Sequence, residues 1–83
     1  MKPEIKALKF TVPYEDIYYI SWIIDAAEGI GFLQTDDAKA GKITVFTPVG
    51  QEEYLLSLME SLRVEGIPIT ENTDDEETGE QNE

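Results

Sequence analysis

The sequence predicts one α+β domain of element order β-α-β-β-α-β, with a four-stranded antiparallel sheet in the order 4-1-3-2 and both helices on one face. Three observations predict it. Residues 5–12 (IKALKFTV) and 42–47 (KITVFT) alternate apolar and polar with period two, as half-buried strands do. Each is closed by a proline, Pro13 or Pro48, and followed by a stretch with apolar residues at helical spacing. Each helical stretch then meets a glycine and a further short apolar segment, so a β-α-β unit occurs twice.

In the first strand Leu8, Phe10 and Val12 point one way, and Ala7, Lys9 and Thr11 the other. A helix is predicted from Tyr14-Glu15-Asp16, whose acids suit the positive end of the macrodipole, to about Glu28. Its apolar face is Ile17, Ile20, Ile23, Ile24 and Ala27, and Gly29 suits a left-handed C-terminal position. Tyr18 and Trp22 fall outside that face, four residues apart, and are expected to touch. Residues 31–35 read as a short strand and 36–41 as a turn. In the third strand Ile43 and Val45 share the core face, while Thr44 and Phe46 share the open one. The second helix begins at Gly50 or Gln51. Leu55, Leu58, Met59 and Leu62 form its stripe, Arg63 sits in its last turn, and Gly66 lies just beyond. The fourth strand is read over 67–70. Pro68 cannot donate to a ladder, so this strand must be an edge, as the order 4-1-3-2 makes it.

The domain is thus expected to span residues 1–70, with 71–83 a disordered acidic tail. That stretch has no hydrophobic residue with which to offset chain entropy. Of the net charge of −12 over 83 residues, the seven acids from Glu71 onward leave −5 for the body. Both parts repel phosphate, which argues against a nucleic-acid partner and against an anionic membrane surface. The N-terminus has neither the apolar nor the small-residue pattern of a signal peptide, and the longest apolar stretch is far short of a bilayer span. A cytoplasmic location is expected, and the absence of Cys fits a reducing compartment.

Two β-α-β units with right-handed crossovers make the arrangement ferredoxin-like, and it is similar to ACT-type regulatory domains. More narrowly, Val12-Pro13 through Ile17, Trp22-Ile23-Ile24-Asp25, Glu28-Gly29-Ile30-Gly31 and Thr35-Asp36 resemble a family of very short uncharacterised bacterial proteins, catalogued as a domain of unknown function. The resemblance covers about residues 5–70. It implies the fold and a bacterial cytoplasmic origin, and no activity. Other domains of this fold are unlike the chain at the residues that carry their function. Heavy-metal chaperones have CxxC after the first strand, and acylphosphatases have an arginine in that loop; here it reads Pro13-Tyr14-Glu15-Asp16. RNA-recognition domains stack bases on aromatics of both central strands, whereas here Phe10 is in core phase.

The chain has no His and no Cys, and no Ser or Thr with an evident base beside it, so no enzyme, cofactor or metal is predicted. Asp36-Asp37 falls well short of the roughly six to eight oxygens calcium takes, and reads as a solvated turn. The candidate interaction residues are Tyr14, Tyr18, Trp22 and Phe46. Tyr14, Tyr18 and Trp22 either pack over the sheet edge or meet a partner. Phe46, framed by Lys9, Thr11 and Thr44, is either a lone exposed aromatic or the centre of a sheet-to-sheet dimer or a ligand platform. The expected function is a small non-enzymatic regulatory or protein-interaction module. It would be homodimeric through the open sheet face or an edge strand. The alternative is an ACT-type sensor of an amino acid or other metabolite, with its ligand near Val12–Asp16.

Overall fold

The structure, a computed structural model, describes residues 4–72. Strand β1 (Ile5–Thr11) is followed by a 3-10 turn (Tyr14–Asp16) and helix α1 (Ile17–Ala26). Strands β2 (Phe32–Asp37) and β3 (Lys42–Pro48) form a hairpin, and helix α2 (Glu52–Val64) leads to β4 (Thr70–Asn72). The sheet order is β2-β3-β1-β4 with every neighbouring pair antiparallel, which is the predicted 4-1-3-2 arrangement read from the other edge.

The register shows why the strand pattern works. Leu8 faces Val45 and Phe10 faces Ile43, so the two central strands put their apolar sets on one side. There they meet Ile20 and Ile24 of α1 and Leu55, Met59 and Leu62 of α2 in a single buried cluster. Burying such side chains contributes about 1.5–3 kcal/mol each, which is the main favourable term in so small a domain. Ile30 is also fully buried, although it lies in the loop after α1.

Several boundaries differ from the sequence reading, most by a residue and four with structural consequences. The first helix starts as a 3-10 turn and stops at Ala26 rather than near Glu28. The early stop lets the chain reverse, so that Ile30 enters the core and Gly31 slides against β3. A Cβ at Gly31 would stand 2.0 Å from the Phe46 carbonyl oxygen. Secondly, β2 runs two residues further, to Asp37, because a bulge between Thr35 and Asp37 absorbs an extra residue. Asp36 and Asp37, read as turn, are therefore in the strand. The turn proper ends at Gly41, with φ +72°, and a Cβ there would lie 1.8 Å from the Val12 carbonyl oxygen.

Thirdly, β3 includes Pro48. Fourthly, the last strand is not over 67–70 but at Thr70–Asn72. Pro68 has no N–H, so the ladder begins beyond it. Ile67 and Ile69 instead pack against the core, and the Ile69 carbonyl accepts a hydrogen bond from Arg63 Nε at 2.9 Å. Glu71 and Asn72, read as the start of the tail, pair with Phe10 and Lys9. The disorder expected over 73–83 lies outside the described residues.

Among the described residues no helix is long and apolar enough to cross a membrane.

Candidate functional site

Both helices lie against one side of the sheet, so the strand positions of the opposite phase are covered by neither helix. Phe46 is one of them, and Phe32 of β2 stands directly opposite. Their rings stack at 5.1 Å between centroids, with an interplanar angle of 27°. Phe32 is 57 % exposed and Ile5, at the same end of the sheet, is exposed as well. The stack answers one of the two readings of Phe46: it is not a lone aromatic. Phe32 escaped the sequence reading because the β2–β3 bulge sets its phase. Counting back from the Asp37–Lys42 pair without a bulge puts Phe32 opposite Thr47, on the core side. The extra residue moves it opposite Phe46 and swings Leu33 inward, opposite Val45.

Beside the stack, the open face is polar. Lys9 Nζ donates to Thr44 Oγ1 at 3.1 Å, and that hydroxyl donates to Asp36 Oδ2 at 2.5 Å. Gln34 Nε2 donates to the other Asp36 oxygen at 2.9 Å. The bulge is what brings the Asp36 carboxylate to Thr44. The Thr44 hydrogen bond holds the Asp36 carboxyl below its ordinary pKa, helped by Gln34 and the Lys9 charge and opposed by partial burial. On the other side of Lys9, Asn72 Nδ2 donates to Thr11 Oγ1 at 2.9 Å. Lys9, Thr11, Asp36, Lys42 and Asn72 line a shallow cleft of about 340 Å³.

Tyr14, Tyr18 and Trp22 lie on the exposed side of α1 and its leading turn. They are 63 %, 92 % and 66 % exposed, so they do not pack over the sheet edge. The expected Tyr18–Trp22 contact is replaced by Tyr19–Trp22, at 6.5 Å between centroids. Tyr19 leans towards the end of α2, where its hydroxyl donates to Glu65 at 3.5 Å, and the Trp22 ring follows it, leaving Tyr18 in solvent. Where α1 begins, Tyr14, Glu15, Ile17 and Tyr18 face Thr35 and Ala38 of the hairpin across a cleft of about 400 Å³. This is the neighbourhood in which an ACT-type ligand was expected. The four predicted residues thus fall into two separate places: Phe46 on the open sheet face, and Tyr14, Tyr18 and Trp22 on α1.

No group of three or more metal-ligating side chains comes together among the described residues. The fold defines the chain as a small ferredoxin-like α+β domain. The family described as Domain of unknown function (DUF4911) matches residues 10–65, and the chain belongs to that family. This agrees with the resemblance read from the sequence. No curated protein and no solved structure matches the chain.

Proposed function

We propose that this chain is a small non-enzymatic interaction module that works as a homodimer, joined through the open faces of two sheets. The observation that carries this reading is the Phe32–Phe46 stack, with Ile5 beside it, on a face that neither helix covers. Stacked aromatics at the centre of a patch with a polar rim are the usual composition of an interface core.

Charge selects the same face and the same partner. The whole chain carries −12. Two copies therefore repel wherever their acids meet, as they would along the helices, where Glu15, Asp16, Asp25, Glu52, Glu53 and Glu60 lie. The strand positions of the open face carry Lys9 and Lys42 against Asp36 and Asp37, which balance, and a two-fold axis lets each lysine approach the other copy's carboxylate. A domain of this size also gains from burying more apolar surface on association. The non-enzymatic part rests on composition: without His or Cys, the commonest acid-base and thiol chemistries are closed to it.

Size exclusion with light scattering on the full chain tests the dimer. The expected mass is twice 9.4 kDa at micromolar concentration, falling to 9.4 kDa in Phe32→Glu. Phe32 is more than half exposed, so that variant keeps its fold. A native chain that stays at 9.4 kDa at high concentration would sink the proposal.

A further inference from the structure

A second surface, independent of the sheet face, has a composition that implies a different partner. Tyr14, Tyr18 and Trp22 are four residues apart, and Tyr18 and Trp22 lie on the side of α1 opposite Ile20 and Ile24. A surface helix ordinarily places polar residues there; of these three exposed rings only Trp22 meets another ring, Tyr19, and all three stay more than half exposed. The charges on their own stretch of chain are all negative. The stretch from Tyr14 to Ala26 contains Glu15, Asp16 and Asp25 and no base. Glu15 lines the cleft between α1 and the hairpin together with the rings of Tyr14 and Tyr18, and no lysine or arginine is among the residues that line it.

We propose that this face docks a basic segment of a partner protein, with an arginine or lysine head held in the cleft between Tyr14 and Tyr18 against Glu15, and further cations along Tyr18, Trp22 and Asp25. Ring faces attract cations through their quadrupole, and a carboxylate beside the ring completes the recognition. The spacing fits an extended segment. One helical step of four residues is about 6 Å, and alternate side chains of an extended chain are about 6.6 Å apart, so every second residue of the segment meets the next ring. A second copy of this chain is excluded as the occupant by charge, because it would bring its own acids against Glu15, Asp16 and Asp25.

The test titrates the full chain with a peptide of alternating arginine and serine at moderate salt. Trp22, the one tryptophan of the sequence, reports binding by fluorescence. Saturable binding is expected. Each ring removed should weaken it about two- to five-fold. Tyr14→Ala/Tyr18→Ala should therefore weaken it at least about four-fold at unchanged net charge, read by the same tryptophan. Glu15→Gln should weaken it as well, whereas Glu53→Gln, the same charge change on α2, should leave it within about two-fold, as a charge far from the site does. Circular dichroism checks that the variants fold; if the double variant does not, Tyr18→Ala alone carries the comparison.

Three results would overturn the proposal. Equal weakening by the two glutamine variants, with none from the tyrosine variants, would mean undirected attraction to an acidic protein. Arginine amide binding as tightly as the peptide would mean a small-ligand site. Self-association abolished by Tyr18→Ala would mean that the face belongs to a second copy. Phe32→Glu leaves peptide binding intact, so loss of the sheet-face dimer and loss of this surface are read separately.

Discussion

Thr44 and Thr47 are three residues apart on β3, both almost completely buried, and replacing each with valine should change stability in opposite directions. Thr47 lies in core phase beside Ile43 and Val45 and is 0 % exposed. Its hydroxyl has no hydrogen-bond partner among the described residues. A buried, unpaired polar group costs about 1–3 kcal/mol in lost hydration. Valine keeps the β-branched shape and removes that cost, at the expense of fitting a slightly larger methyl. Thr47→Val should therefore stabilise by about 1–2 kcal/mol, and each kcal/mol raises Tm by roughly 4–8 °C in a domain of this size. Thr44 lies on the open face, and its hydroxyl both accepts from Lys9 and donates to Asp36. Thr44→Val breaks both bonds and should destabilise by about 1 kcal/mol. Urea unfolding at neutral pH, fitted with a common m-value, measures both. A destabilised Thr47→Val would show that its hydroxyl is paired, for instance through a buried water, and would refute the assignment of Thr47 as an unsatisfied core group. An unchanged Thr44→Val would show that the Lys9–Thr44–Asp36 chain contributes nothing to stability.

Asp36 should make stability fall in acid. Its folded pKa is depressed, so its contribution is fully present above the ordinary value of 3.8 and is lost as pH drops through the lower folded value. The stability gap between the native chain and Asp36→Asn, measured by denaturant unfolding, should close over that window and stay constant at higher pH. Gly41→Ala should cost about 3 kcal/mol or more, because a positive φ and a backbone clash with Val12 coincide there. Gly29→Ala, also at positive φ but with nothing within 4 Å, should cost only about 1–2 kcal/mol; thermal melts of the two variants make the comparison. Deleting residues 73–83 removes six of the 18 acids and takes the net charge from −12 to −6. Stability at high salt should then change by less than about 1 kcal/mol, since exposed charges are screened there; a loss above about 2 kcal/mol, found by urea unfolding, would count against placing those residues outside the folded domain.

Much of this protein was determined locally. Period-two alternation in 5–12 and 42–47 put Leu8, Phe10, Ile43 and Val45 on one side, since a strand side chain can face only two ways. The apolar residues of both helices fell at helical spacing, and prolines and glycines marked where elements end. Those patterns, with the handedness of β-α-β crossovers, lead to the strand order without any contact being known. Which face would hold Phe46 was legible for the same reason, as was the position of Tyr18 and Trp22 outside the apolar arc of α1, though not whether those rings would pack or stay exposed.

Tertiary structure decided what depended on a register or on two distant segments meeting. The bulge at Asp36 is a single extra residue with no signature of its own in the sequence, yet it turns Phe32 outward and Leu33 inward and so creates the aromatic stack. The start of β4 moved from 67 to Thr70 because Ile67 and Ile69 were drawn into the core and Pro68 could not join the ladder. Glu71 and Asn72 look like tail by composition. They are strand because β1 offers them an unpaired edge, and no property of the two residues themselves encodes that. The burial of Ile30 and the partner chosen by Trp22 are of the same kind. Side-chain periodicity is a property of one segment and can be read along it, whereas bulges, edges and ring pairs are properties of two segments and exist only once the chain has closed.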